Sequence, residues 1–129
     1  MKISSKTHYG VQILCLLAAR EKCTSASELE KYTGVSSKSL EKVLKILLTV
    51  GAVKATRGKN GGYVLARPAE EIKMGGVVRA LEEDNMEIIG CVNKTGCCCP
   101  SSVLWKRLFD GINGILDGIS LKDIQDGKI

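Results

Sequence analysis

No apolar stretch in this chain of 129 residues approaches the length of a membrane-spanning helix, so association with a bilayer is not expected. The run from Ile13 to Ala19, behind Lys2 and Lys6, imitates a short secretory signal. Gln12 and Arg20 flank it, however, no small-residue cleavage site follows, and Tyr9, Ile13, Leu16 and Leu17 fall on one helical face. A cytoplasmic location is therefore expected. The chain has one histidine, His8, and its acids are scattered, so no hydrolytic constellation forms and catalysis is not expected. The glycine-rich segment at 58–62 lacks the Lys-Ser or Lys-Thr pair before a helix that a nucleotide phosphate loop requires. The cysteines lack the ferredoxin spacing, which argues against an electron carrier. Internal repeats and low-complexity tracts are absent too, and 13.9 kDa accommodates one ordinary core rather than two.

What is present is unevenly placed charge. Residues 31–67 hold Lys31, Lys38, Lys42, Lys45, Lys54, Arg57, Lys59 and Arg67 against the single acid Glu41, a local balance of +7 where the whole chain sums to +5. Residues 68–87 swing the other way, with Glu70, Glu71, Glu82, Glu83, Asp84 and Glu87 against Lys73 and Arg79. An ordinary solvated helix face mixes signs. Positive charge gathered on one segment is the footprint of a polyanion, and double-stranded DNA is the expected partner.

The pattern along the chain predicts mainly α structure with a small β-hairpin wing: a winged helix-turn-helix followed by a long C-terminal dimerisation helix. A first helix is expected from about Lys6 to Arg20. Ser25 with Glu28 three residues on makes a capping-box signature for a short helix ending near Thr33, with Gly34 as the turn. Ser36 caps the next helix, in which Leu40, Val43, Leu44 and Leu47 recur at helical spacing while Lys38, Glu41, Lys42 and Lys45 lie opposite. Its first residues, Ser37, Lys38, Ser39, Glu41 and Lys42, are where a recognition helix meets base edges in the major groove. Gly51 ends that helix. Strands on either side of Gly58-Lys59-Asn60-Gly61-Gly62 make a hairpin, with Asn60-Gly61 as the turn signal. Arg57, Gly58 and Lys59 at its tip offer cations and bare backbone N–H groups to phosphates or to the minor groove.

A helix is expected over Ile72 to Glu83, then a loop over Asp84 to Pro100, then a long helix opened by Pro100 and Ser101. Leu104, Leu108, Ile112, Ile115 and Ile119 stripe it, widened by Trp105, Phe109 and Leu116. So wide a face on a terminal helix reads as a dimer contact. Gly111, Gly114 and Gly118 fit either close helix approach or simple tolerance. Ser120 with Asp123 signals a final short turn. The expected divisions are 1–83 for DNA binding, 84–100 for a cysteine-rich sensor loop, and 101–129 for dimerisation.

Cys91, Cys97, Cys98 and Cys99 lie within nine positions, beside Gly90, Gly96 and Pro100. Thiolates select iron-sulfur clusters, zinc or copper(I), and clustered thiols in a reducing compartment bind metal or sense redox more often than they form structural disulfides. Adjacent Cys98 and Cys99 point apart in an extended chain, whereas Cys97 and Cys99 can converge. Cys15, and Cys23 with it, fit the role of small buried hydrophobes.

Several segments resemble the dimeric winged-helix regulators typified by the iron-sulfur cluster regulator IscR, the nitric oxide sensor NsrR and the cysteine metabolism repressor CymR. They are Met1-Lys2-Ile3-Ser4-Ser5-Lys6 leading to Tyr9, the helix around Ser39-Leu40-Glu41, the wing Arg57-Gly58 with Gly61-Gly62-Tyr63-Val64-Leu65, and Leu104-Trp105 in the last helix. The similarity spans nearly the whole length. It implies a homodimer joined by the C-terminal helix, with each recognition helix in a major groove of a pseudo-palindromic promoter site. It also implies an iron-sulfur cluster, 2Fe-2S before 4Fe-4S, held by three cysteines. Cys91 and Cys97 match the first two positions and Cys99 the third, with a shorter spacing than the family shows, which leaves Cys98 as an extra thiol or a substitute ligand. The histidine that IscR-like members place three residues beyond the third cysteine is replaced here by Ser102. NsrR-like members take an acidic ligand from the partner's first helix, and His8 stands at that place. Imidazole is a competent iron ligand. The other reading of His8 is an exposed residue near the DNA backbone. The resemblance thus implies a transcription regulator, a repressor, governed by a cluster. The alternative is the same DNA-binding dimer acting as a zinc or thiol-redox sensor through Cys91, Cys97, Cys98 and Cys99.

Overall fold

The computed structural model describes residues 2–20, 22–83 and 100–129. In chain order it has α1 (Ser5–Ala19), α2 (Ala26–Thr33), α3 (Ser37–Thr49), β1 (Val53–Thr56), β2 (Gly62–Leu65), a short 3-10 turn at Ala69–Glu71, α4 (Met74–Leu81), α5 (Ser102–Asp117) and α6 (Leu121–Asp126). Hydroxyl caps set the starts of most of the helices. Ser4 Oγ accepts from Thr7 N at 3.3 Å, Ser25 Oγ from Glu28 N at 3.3 Å and Ser36 Oγ from Ser39 N at 3.4 Å. Gly34 ends α2 at φ 73° and Gly51 follows α3 at φ 74°, a left-handed backbone that glycine adopts without steric cost. The box expected at Ser25 is only half made, because the Glu28 carboxylate pairs with Arg20.

The core is where the apolar stripes of α1, α2, α3, α4 and α6 meet: Ile13, Leu14 and Leu17, then Leu29, then Leu40, Val43, Leu44 and Leu47, with Ile72, Val77, Leu81 and Leu121. Burying each such side chain contributes roughly 1.5–3 kcal/mol. Leu14 is fully buried, whereas Leu16 is only half-buried.

The hairpin pairs Val53 with Leu65 and Thr56 with Gly62, leaving a five-residue loop, 57–61. Its turn lies one residue earlier than Asn60-Gly61. Gly61 N donates to Gly58 O at 3.0 Å, placing Lys59 and Asn60 at the centre, and the left-handed glycine is Gly58 at φ 114°. The strands close over five residues rather than the two of an Asn-Gly turn, and the turn shifts with them. Beyond the hairpin, Tyr63 N donates to Thr24 O at 2.8 Å and Thr24 N to Tyr63 O at 3.0 Å, which ties β2 to the link between α1 and α2.

α4 is shorter than the expected Ile72 to Glu83 at both ends, for two physical reasons. Ile72 and Lys73 stay extended because they pair with the segment before α6: Met74 N donates to Ile119 O and Leu121 N to Ile72 O, each at 2.9 Å. At the other end Glu82 leaves the helix, and its Oε1 accepts from Ser4 N at 2.8 Å and from the buried Thr7 hydroxyl at 2.6 Å. One carboxylate thereby completes the N-terminal turn of α1.

α5 packs along α4. Arg79 spans them, donating to Asn113 Oδ1 and Asp117 Oδ1, both at 2.6 Å. A Cβ at Gly75 would fall 1.8 Å from Asp117 Oδ1, so a side chain there would have to displace that carboxylate from its place beside Arg79. The apolar stripe of α5 divides. Trp105, Phe109, Ile112 and Leu116 are half-buried, while Leu104, Leu108 and Ile115 remain exposed at 58%, 44% and 66%. Ser120 and Asp123 form a complete capping box for α6, which returns Leu121 to the core.

Burial raises the pKa of the Glu82 carboxyl, but hydrogen bonds from Thr7 and Ser4 and the charge of Lys6 outweigh it and hold the group below the usual carboxylate range. A depressed folded value means its contribution is complete above the unfolded carboxylate range and is lost as pH falls through the folded one. Glu82→Ala leaves the Ser4 N–H without its acceptor and the Thr7 hydroxyl with only Ser4 Oγ, 3.1 Å away, and should cost about 1–3 kcal/mol near neutral pH. Urea unfolding at several pH values checks this: the difference between wild type and variant should shrink on acidification.

Candidate nucleic-acid interface

Leu40, Val43, Leu44 and Leu47 face the core with no more than 3% exposure, so the helical period turns Ser37, Lys38, Ser39, Glu41, Lys42 and Lys45 outward, and all six are exposed. Arg57, Gly58 and Lys59 are exposed at the wing tip. Every residue expected to meet DNA from the sequence is accordingly at the surface. Among the described residues, none of Lys38, Lys42, Lys45, Arg57 and Lys59 is neutralised in an ion pair, although Lys6, Arg20, Arg79 and Lys122 are each paired. The Ser39 hydroxyl accepts from Ser36 Oγ at 3.2 Å, which leaves its own proton to donate.

Two clefts adjoin this surface. One, of about 230 Å³, lies between α1 and α3 and is lined by Ser5, Lys6, Tyr9, Ser39, Lys42 and Val43. The other, of about 640 Å³, runs between the wing tip and the α1–α2 link, with Lys22, Cys23, Ser25, Glu28 and Lys59 among its walls. The sequence pattern did not single out Lys6 or Lys22 for this surface, because their placement depends on tertiary packing rather than on periodicity.

Cys15 is half-buried against the core, and burial pushes its thiol pKa up, in keeping with an inert packing role. Cys23 differs from the expected buried hydrophobe: its Sγ lies 2.9 Å from Thr56 Oγ1 at the base of the wing. His8 is exposed on α1, its ring centroid 5.8 Å from that of Tyr9. The expected ligand loop with Cys91, Cys97, Cys98 and Cys99 lies outside the described residues. The last described residue before it, Glu83, pairs with Lys6 at 3.0 Å.

A basic, outward-facing third helix on a helical core, followed by an exposed basic hairpin, defines a winged helix-turn-helix protein. The chain belongs to the Rrf2 family, described as an iron-dependent transcriptional regulator, whose pattern matches residues 3–127. It is 33% identical to protein rrf2 of Nitratidesulfovibrio vulgaris over 97% of this chain and 87% of that one. It is 31% identical to the HTH-type transcriptional regulator IscR of Serratia proteamaculans over 99% of this chain and 81% of that one. Among solved structures, CymR of B. subtilis, the global cysteine regulator, superposes with a TM-score of 0.82 at 29% identity, covering 100% of this chain and 99% of its own. IscR of T. potens superposes at 0.79 and 31% identity, covering 100% and 92%. The resemblance to IscR and CymR read from the sequence thus holds, and the protein is a transcription regulator rather than an enzyme. Among the described residues no helix is long and apolar enough to cross a membrane.

Wing placement depends on Gly62. A Cβ there would stand 2.5 Å from Thr24 O, inside the bridge that ties β2 to the α1–α2 link. Gly62→Ala should cost about 1–3 kcal/mol, as overpacking does. Hydrogen exchange at the Thr24 and Tyr63 amides is the check, and both should lose protection together.

Proposed function

We propose that the protein is a dimeric repressor that binds a pseudo-palindromic promoter site and whose DNA binding is governed by an iron-sulfur cluster in the 84–100 segment. The observation carrying the DNA-reading part is the unpaired basic face of α3 beside the wing, held outward by the buried stripe beneath it. Lys38, Lys42, Lys45, Arg57 and Lys59 supply phosphate and groove contacts, with the Gly58 backbone at the wing tip. Ser37, Ser39 and Glu41 read base edges. Glu41 is an acid on a basic face; it costs non-specific affinity but accepts from cytosine N4 and penalises other bases.

The second copy docks on α5. Among the described residues nothing covers its exposed Leu104, Leu108 and Ile115, and a Cβ added at Gly111 or Gly114 would meet nothing within 4 Å. On this reading residues 1–83 bind DNA, 84–100 sense and 101–129 dimerise.

Cys91, Cys97 and Cys99 would hold the cluster, a soft-ligand set suited to iron and sulfide, with His8 of the partner subunit as the fourth ligand. When bound, the cluster, 2Fe-2S before 4Fe-4S, supplies a link between iron or redox state and the geometry of the dimer. The chain's own part is to bring α1, which carries His8, and α5, which follows the cysteines, into one dimer. Ser102, standing where IscR-like members carry histidine, favours a second reading: a zinc or thiol-redox switch through Cys91, Cys97, Cys98 and Cys99 in the reducing cytosol.

Three outcomes are expected. Glu41→Ala should relax sequence preference at one position, worth about 1–3 kcal/mol of discrimination, in a binding selection from randomised duplexes; equal loss on all sequences contradicts the base-reading role. Lys59→Ala should lower the slope of log affinity against log salt by about 0.9 for each phosphate left without its cation. Protein purified without air should be brown and contain iron and sulfide, and His8→Ala should lose them. Unchanged occupancy removes His8 from the ligand set, and colourless protein with stoichiometric zinc moves the sensor to the second reading.

A further inference from the structure

We propose that the cleft between α1 and α3 is a seat for a DNA backbone phosphate, and that Glu83 competes with that phosphate for Lys6. The inference rests on the DNA-binding reading and extends it to residues that the recognition helix and wing do not include. The cleft of about 230 Å³ brings together the Lys6 and Lys42 ammonium-bearing chains, Tyr9, and the Ser5 and Ser39 side chains, with Val43 as its apolar floor. Among the described residues no carboxylate lines it. Two ammonium groups, a phenol and two hydroxyls are donors suited to the non-bridging oxygens of a phosphodiester, and phosphate contacts of this kind fix the register of a protein on the duplex. Ser39, with its proton free to donate, and Lys42 lie on the face of α3 that is turned outward for the major groove. A phosphate flanking that groove meets the cleft directly.

Lys6 also borders a second cleft, of about 380 Å³, lined by Ser4, Leu81, Glu82 and Glu83. In the structure its Nζ lies 3.0 Å from Glu83 Oε1. Glu82 is already engaged by Ser4 N and the Thr7 hydroxyl, so Glu83 is the carboxylate that holds the lysine. The Glu83 side chain is 87% exposed, and an ion pair so open to water is weak enough to be exchanged for a phosphate. Lys6 borders both clefts, so its one ammonium group is shared between Glu83 in the one and a phosphate in the other. Glu83 therefore lowers DNA affinity by occupying Lys6. It is also the last described residue before the segment with the four cysteines, so the contested lysine adjoins the proposed sensor through its partner.

The test measures binding of the full chain to a fluorescent random-sequence duplex across a salt series, for wild type, Lys6→Gln, Lys6→Arg, Glu83→Gln, the double variant Lys6→Gln with Glu83→Gln, and Lys59→Ala. Lys6→Gln should lower the salt slope by about 0.9 per subunit bound, and Lys6→Arg should retain it. Glu83→Gln should tighten binding several-fold, and only while Lys6 is present. Tightening of equal size in the Lys6→Gln background would mean that Glu83 acts through long-range repulsion, which overturns the competition. An unchanged slope in Lys6→Gln beside a lowered slope in Lys59→Ala overturns the phosphate seat and leaves the DNA-binding reading standing. Unchanged slopes in both, or no binding by wild type, remove the wider reading with it. Lys6 and Glu83 lie outside the core, so circular dichroism and melting of each variant should match wild type; a variant that melts early is replaced by Lys6→Met or Glu83→Ser, which remove the same charge.

Discussion

The rest of the structure depends on the burial of one stripe of α3 against α1. Leu40, Val43, Leu44 and Leu47 sit beneath no more than 3% exposure against Ile13, Leu14 and Leu17. Turning α3 about its axis would carry Lys42 or Lys45 into that contact, and an ammonium buried without a partner costs far more than the rearrangement could recover. The apolar face therefore fixes the direction of the basic face. Charge segregation in the sequence becomes charge segregation in space, which is what recognition of a polyanion needs.

Around this pair, three connections between distant parts of the chain hold the functional pieces in register. The Thr24–Tyr63 bridge sets the wing relative to the start of α2. The Ile72 and Met74 pairing with Ile119 and Leu121 closes the C-terminal segment onto the core. The Glu82 carboxylate fastens the end of α4 to the first turn of α1, where Lys6 and His8 are found. Each connection satisfies backbone or hydroxyl groups that would otherwise be left without partners. Together they hold Glu82 and Glu83, the last described residues before the cysteine segment, against α1, the helix that borders α3.

Local chemistry was legible in the sequence and distant pairing was not. Ser25, Ser36 and Ser120 announced their helix starts, and Gly34 and Gly51 their ends, because a hydroxyl cap and a left-handed glycine act within four residues. The outward basic face of α3 was legible for the same reason. The length of α4 was not, since Lys73 is kept out of the helix by Ser120 and Glu82 by Ser4 and Thr7, partners far along the chain. The turn at Lys59-Asn60 escaped because an Asn-Gly pair signals a two-residue loop, and the strands here close over five. Lys6 and Tyr9 joined Ser39 and Lys42 only through the packing of α1 on α3.

The most direct test of the central claim, that the basic face of α3 and the wing read a symmetric duplex as a pair, is a hydroxyl-radical footprint on a site selected from random DNA. The account predicts two protected half-sites related by a two-fold axis and centred about 10 base pairs apart, or a multiple of that, with cleavage suppressed in the minor groove where each wing lies. A single unsymmetric patch, or protection that survives neutralising the cations of α3, would contradict it.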